Sequence, residues 1–330
     1  MKQMHKWLMG LVLLLALAAC QTATQNDTGG TNEDADTIAP QIVAVSPANN
    51  ATGVLKSAKI TIEFSEPMDT ASVEAAYGSS SEGLKPAQVA FTWEDGDKKL
   101  VISPKAELAY SPNATPIIYS FALAGSAADK AGNTLGTTLV SSFSTLRTLS
   151  ATLTGESIDG YIEDDGSGSY TAFTSGSPVF VGIQDSSGSI FFCYRVFFSF
   201  PLSGLPQEMT EITAANLQLY TKEYSDPNFS DAFLMAHVDY GNSLDGGDFD
   251  SQPFTGSSDK TVSLGDQVTN DIDVTEWLRA SIDAGGERFQ VRLRMDGCAT
   301  QGIDSKYGYD INTSEASNNK PQLVVSYLTP

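Results

Sequence analysis

Residues 59–64 read KITIEF. Side chains alternate along an extended chain, so Ile60, Ile62 and Phe64 share one face and Lys59, Thr61 and Glu63 the other. Such a segment buries one side and wets the other, which predicts a sheet packed over a core. The same signal recurs outward from it. Val89, Phe91 and Trp93 are in phase, and Glu94-Asp95-Gly96-Asp97 then turns into Lys99-Leu100-Val101-Ile102. Gln41–Ser46, Ile117–Phe121 and Leu139–Phe143 complete about seven short strands with turn residues between them. Regular short strands separated by Gly, Pro, Asn and Asp predict an antiparallel sandwich over residues 40–147. Trp93, in phase with Val89 and Phe91, is expected in its core. Pro67 stops the strand that begins at Lys59, and Asp69 is placed to cap a short helical turn running through Val73.

The C-terminal half carries the same kind of pattern. Ala215, Leu217 and Leu219 alternate with Asn216, Gln218 and Tyr220. Val274, Trp277, Leu278 and Ile282 fall at helical spacing, so a short helix presents one apolar face and Trp277 belongs to the core. Asp273 or Thr275 can cap its start. Gly285-Gly286 ends it, and Phe289–Leu293 leaves as a strand. The final Gln322–Tyr327 reads as another strand. The expected fold is therefore all-β, with a larger second sandwich over residues 150–330.

These segments resemble known families. IVAVSPANNATGV (42–54), ITIEFSEPMDTASV (60–73), DKKLVISP (97–104) and ADKAGN (128–133) are similar to the bacterial Ig-like domain first associated with S-layer proteins. That resemblance implies a spacer or adhesion module with an Ig-like β-sandwich fold, not a catalyst. RVFFSFPLSGLP (195–206), EITAANLQLYTKE (211–223), DIDVTEWLRASIDAGGERFQVRLRM (271–295) and NKPQLVVSYLTP (319–330) resemble the DNRLRE-type jelly-roll domain, which is related to some carbohydrate-binding modules. That likeness implies a jelly-roll β-sandwich and polysaccharide as a ligand class.

The N-terminus decides the expected location. Lys2 and Lys6 precede an uncharged, mostly apolar run, Trp7–Ala19. The run is shorter than the roughly 20 helical residues needed to span a bilayer, and small residues end it, as in a secretory signal over residues 1–19. Leu17-Ala18-Ala19-Cys20 resembles the bacterial lipobox, which implies a lipoprotein with Cys20 acylated. Ordinary cleavage at an A-x-A-like site, leaving Cys20 incidental, is the alternative reading. Gln21 after the cysteine implies, for a Gram-negative lipoprotein, the outer membrane. Residues 20–39 hold almost nothing apolar and read as a flexible linker with a reach of about 25 Å.

Charge and residue types limit the chemistry. The chain has 19 basic and 40 acidic residues; without Lys2 and Lys6 the net charge falls from −21 to −23. Such a surface repels phosphate backbones, which argues against nucleic acid as a partner. His237 is the one histidine beyond the leader; it lies in a stretch that reads as a strand with no nucleophile elbow near it, and a structural role is expected. No phosphate-binding loop is present and the cysteines are too few and distant for zinc. No enzyme is expected. Cys193 and Cys298 remain once Cys20 is set aside; a disulfide between them is one reading, and a buried free thiol at Cys193 within IFFCYRVFF the other. DYGNSLDGGDFD (239–250) gathers Asp239, Asn242, Asp245, Asp248 and Asp250, hard oxygen ligands that suit calcium. It is not an EF-hand, because Leu244 stands where the loop glycine belongs, and Asp and Gly also simply make turns. Glu163-Asp164-Asp165 is a second such cluster. Tyr307 and Tyr309 share a face beside Lys306 and Asp310, and Tyr220, Tyr224 and Phe229 add further rings; together they are the candidate platform for a sugar. Two functions follow: a lipid-anchored cell-surface binder of polysaccharide, or a structural and adhesive envelope component that meets envelope proteins.

Overall fold

The computed structural model describes residues 36–185, 191–224, 232–297 and 306–330. Cys20, Phe229 and Cys298 lie outside the described residues.

Eight strands build the first unit: β1 (Ile42–Ser46), β2 (Ala51–Val54), β3 (Ile60–Phe64), β4 (Tyr77–Gly78), β5 (Val89–Glu94), β6 (Lys99–Pro104), β7 (Ile118–Leu123) and β8 (Leu139–Thr145). They form two four-stranded sheets, in the orders β1-β3-β6-β5 and β2-β8-β7-β4. The alternation in β3 is realised: Ile60, Ile62 and Phe64 are at most 3% exposed. Trp93 is partly buried against that core, lies 6.1 Å from the Phe64 ring and donates its indole N–H to Glu74. Helix α1 (Thr70–Ala76) starts at Asp69, whose carboxylate accepts from the Ala71 and Ser72 N–H groups. Replacing Asp69 by Ala leaves those donors unpaired and is expected to lower stability by about 1 kcal/mol, read as a reduced denaturation midpoint with an unchanged slope.

Twelve strands form one continuous second sheet: β9 (Arg147–Thr154), β10 (Gly160–Asp164), β11 (Tyr170–Phe173), β12 (Val179–Asp185), β13 (Phe191–Pro201), β14 (Glu211–Tyr224), β15 (Phe233–Val238), β16 (Lys260–Val262), β17 (Val268–Asp273), β18 (Arg288–Met295), β19 (Lys306–Ile311) and β20 (Gln322–Thr329). The sheet folds around a core in which Val181, Val196, Phe198, Leu217, Leu219, Val291, Leu293 and Leu323 are fully buried. The architecture is thus all-β, an Ig-like sandwich followed by a larger β-sandwich. Helix α2 (Thr275–Asp283) packs Leu278 inward, with Trp277 partly buried against the same core. Asp273 bonds the Thr275 N–H and hydroxyl at this helix start. No helix among the described residues is long and apolar enough to cross a membrane.

The two sandwiches join without a spacer. Only Leu146, 5% exposed, separates β8 from β9. The Arg147 guanidinium donates to the carbonyls of Ala114 and Pro330, and Ser111 exchanges backbone hydrogen bonds with Leu146 and Thr148.

A second, smaller core lies on the other side of β13 and β15. Cys193, Phe197, Ala236 and Val238 are covered there by Tyr240, Leu244 and Phe249 of the loop after β15. Cys193 is disulfide-bonded and buried.

One buried acid gives this unit a pH signature. Asp159 is fully buried; one carboxylate oxygen accepts from the Ser199 N–H at 2.7 Å and the other has no hydrogen-bond partner among the described residues. Burial, followed by smaller effects that include the nearby Glu315 and Glu156 charges, pushes its pKa up to about 8. The folded state therefore holds a proton that the unfolded chain releases near pH 4. Stability from this group is complete below that pH and is lost as pH rises toward 8. Asp159→Asn is expected to flatten the decline in unfolding free energy between pH 6.5 and 8, measured by urea denaturation across pH.

Candidate functional site

The site begins with the alternation in β14. Ala215, Leu217 and Leu219 are fully buried, so Gln218, Tyr220, Lys222 and Tyr224 stand on the outer face, half-buried or exposed. Pairing then brings partners from distant segments. Gln218 lies opposite Asp271 on β17 and Gln322 on β20, Tyr220 lies opposite Thr269, and Gln322 lies opposite Thr154 on β9. The result is a depression of about 310 Å³ lined by Thr154, Gln218, Tyr220, Thr269, Lys320 and Gln322, among others. The Gln218 amide donates to Asp271 at 2.8 Å, which fixes its plane. A half-exposed ring between two planar amides and hydroxyls offers both an apolar surface and oriented hydrogen-bonding groups.

The strip continues across β19 to β12. Gly308 faces Tyr224 on one side and Gly182 on the other, and Asp310 faces Lys222 and Phe180. With no Cβ at Gly182 and Gly308, the tip of the Phe180 ring settles over the pair. The Lys306 ammonium lies 4.1 Å from the ring centres of both Phe180 and Tyr224 and 3.1 Å from the Asp310 carboxylate. The Tyr224 hydroxyl donates to Asp310 at 2.7 Å, and this bond raises its pKa. Phe180 meets Tyr194 edge-on at 5.5 Å, and Tyr194 leads on to Tyr161 and Phe173, which stack at 4.8 Å.

Tyr307 and Tyr309 share a face, as their spacing requires, but it is the inner one. Tyr309 is 8% exposed, packs edge-on against Phe233 and donates its hydroxyl to the Leu264 carbonyl at 3.0 Å. Burial pushes its pKa up to about 12. Tyr307 is half-buried against the same core. The two rings expected to form an exposed platform thus pack into the core, and the outer face of β19 carries Lys306 and Asp310 instead. Ile311, in phase with both tyrosines and fully buried, is the sequence signal that could have shown this. Tyr220, expected as an additional ring, lines the depression, and Tyr224 stands on the same outer face, whereas Gln218, Gln322, Lys320 and Thr154 are lining residues that the local pattern does not single out.

The acidic loop is built mostly of local bonds. Asp239 accepts from the Gly241 N–H, and Asn242 accepts from the Arg288 guanidinium at 2.6 Å. Asp245 and Asp248 cap a 3-10 turn over Gly246–Asp250 reciprocally, and Asp250 pairs with Arg195 at 2.7 Å. Each of the five side chains thus has a partner in the chain, and the structure does not gather them as one ligand set. Among the described residues, a group of three acids close enough to share an ion occurs elsewhere, at Asp36, Glu66 and Asp129. Asp164 and Asp165 likewise accept from backbone N–H groups of their own turn.

His237 is 1% exposed, with its ring stacked on Phe254 at 4.3 Å and its Nε2 hydrogen-bonded to the Ser281 hydroxyl at 2.8 Å. Burial lowers its pKa to about 4, so the ring is neutral near pH 7. Among the described residues, no carboxylate bonds the Nδ1 of this ring to complete a serine-histidine-carboxylate relay.

Comparison with known proteins follows this division. The family described as bacterial Ig-like domain matches residues 36–145, and carbohydrate-binding module family 96 matches residues 152–327, more than half of the chain. Neither family is catalytic. No curated protein matches. Among solved structures, L,D-transpeptidase 3 from Mycobacterium tuberculosis is 12% identical over 60% of this chain and 68% of its own, with a TM-score of 0.21. Surface layer protein SbsC, domains 1–6, is 12% identical over 72% of this chain and 33% of its own, with a TM-score of 0.24. SGBP-B from a complex xyloglucan utilization locus in Bacteroides uniformis is 10% identical over 88% and 72%, with a TM-score of 0.18. At such scores these likenesses decide nothing about this chain.

Proposed function

The chain belongs to carbohydrate-binding module family 96, and from that premise we propose that it is a non-catalytic cell-surface protein that binds polysaccharide along the outer strip of its second sandwich. The observation that carries the reading is the depression in which Tyr220 stands among Gln218, Gln322 and Thr269. A pyranose has an apolar face for the ring and equatorial hydroxyls for the amides. The open length of the strip, from Thr154 to Lys306, suits a chain rather than a single sugar. The test is a glycan array probed with the full chain, followed by affinity electrophoresis in gels containing each soluble polysaccharide that scores. Retardation by at least one polysaccharide is expected; mobility unchanged in all of them overturns the reading.

Cys20 carries the lipid that holds the protein at a bacterial envelope, in the outer membrane, and residues 20–39 act as its linker. Several acyl chains at about 0.8 kcal/mol per buried methylene would anchor it firmly. Mass spectrometry of the mature N-terminus checks this: a chain that starts elsewhere, or an unmodified Cys20, removes the anchor. Cys193 takes Cys298 as its disulfide partner, which non-reducing peptide mapping tests directly. A second reading, a structural or adhesive component with envelope-protein partners, is favoured by one observation, the direct junction of the two sandwiches at Leu146. It becomes the better account if no glycan binds.

A further inference from the structure

A separate pocket of about 190 Å³ opens on the other part of the sheet, at the end of β15 and beside the C-terminal end of α2. Its wall includes His237, Phe254, Asp239, Asn242, Arg288 and Gln290. None of these residues belongs to the strip described above.

The charges in this pocket are already arranged. Arg288 donates to Glu156 at 2.7 Å and to Asn242 at 2.6 Å, so it is not a free cation for an anionic ligand. His237 is neutral near pH 7 and its Nδ1 has no hydrogen-bond partner among the described residues. Gln290 is held rigidly: its oxygen accepts from the Tyr240 N–H and its nitrogen donates to the Gly241 carbonyl, both at 2.8 Å. Behind this polar rim, Phe254 lies flat on the imidazole. Exposed Asp239 and Asn242 present acceptor and amide groups to the opening. A neutral polyhydroxyl ring with one apolar face matches this set: hydroxyls donate to the Asp239 carboxylate and accept from the Asn242 amide N–H, whose oxygen is held by Arg288, and the apolar face meets Phe254. The volume is below the several hundred Å³ of an extended-ligand site, so one ring fits and a chain does not.

We propose that this pocket is a second subsite that takes a single neutral pyranose, the free end of a glycan, independently of the strip. The proposal rests on the carbohydrate-binding reading. One protein would then hold the side of one chain and the end of another.

The imidazole itself is the reporter. With His5→Gln in the full chain, His237 is the sole histidine, and its ring C–H and N signals can be followed by NMR. The probes are free glucose, galactose, mannose, xylose and N-acetylglucosamine, each titrated singly, with calcium chloride titrated in parallel. The expected result is a saturable shift of the His237 signals with at least one sugar. Phe254→Ala and, since Asn242 is an exposed loop residue, Asn242→Ala should each weaken it at least tenfold. Retardation by polysaccharide, measured on the same variants, should stay at the parent value. Three results overturn the proposal: no shift with any sugar, a shift that persists undiminished in both variants, or a shift produced by calcium and abolished by chelator. Loss of polysaccharide retardation in the parent protein would instead remove the strip reading, so the two failures are distinguishable.

Discussion

Gly308→Ala is expected to lower the stability of the second sandwich by about 3 kcal/mol or more. Gly308 has φ +148, in a region that side chains with a Cβ hardly enter, and that conformation alone costs about 1–3 kcal/mol for alanine. The added methyl would also overlap the Val181 carbonyl oxygen and crowd the Cα of Gly182 and the tip of the Phe180 ring. Backbone on the facing strand cannot yield without breaking the pairing of β12 with β19. For a unit of this size the melting temperature should fall by about 6–12 °C. Gly256→Ala is the control, because Gly256 also has positive φ, +85, but open space where a Cβ would stand. Equal melting temperatures for the two variants would show that the crowded glycine pair is not what shapes this part of the strip.

Tyr220→Ala should weaken polysaccharide binding at least tenfold while leaving the melting temperature within about 2 °C of the parent. The ring is half-exposed on the face opposite Leu219, so its removal takes contact surface from the ligand and little from the core. An aromatic contact with its buried area is worth more than about 1.4 kcal/mol, which is one decade in affinity. Gln218→Ala and Gln322→Ala each remove one oriented amide and should cost three- to tenfold. Tyr309→Phe supplies the contrast. It removes only an inward hydrogen bond to Leu264, so it should cost about 1 kcal/mol of stability and leave affinity unchanged. Isothermal titration with the polysaccharide selected by the array measures all four. Unchanged affinity in Tyr220→Ala would remove Tyr220 from the site.

The local pattern carried the fold well and the site only in part. Ile60, Ile62 and Phe64 declare their strand because burial of alternate residues is written into neighbouring positions. Val274, Trp277, Leu278 and Ile282 declare α2 in the same way. Parity shows that Tyr307 and Tyr309 share a face; which face is inside depends on the whole alternation, and Ile311 was the residue that decides it. Gln218, Gln322 and Thr154 meet because β9, β20 and β14 lie side by side. That adjacency is set by the path of the whole sheet, and no short stretch contains it. The loop from Asp239 to Asp250 illustrates a different limit. Aspartate caps a turn, pairs with arginine or binds a cation through the same oxygens, so composition alone leaves the choice open. In the fold, Asp245 and Asp248 close on each other's backbone, and Asp250 turns to Arg195.

The single-residue junction at Leu146 bears on how the molecule carries mechanical load. A pull entering through the first sandwich reaches the second along β9, whose eight residues, Arg147–Thr154, pair in register with Gln322–Thr329 of β20. Force along that axis shears these bonds together instead of opening them one after another. The junction is therefore a stiff coupling, and the two sandwiches pass load to one another as a pair rather than as beads on a cord.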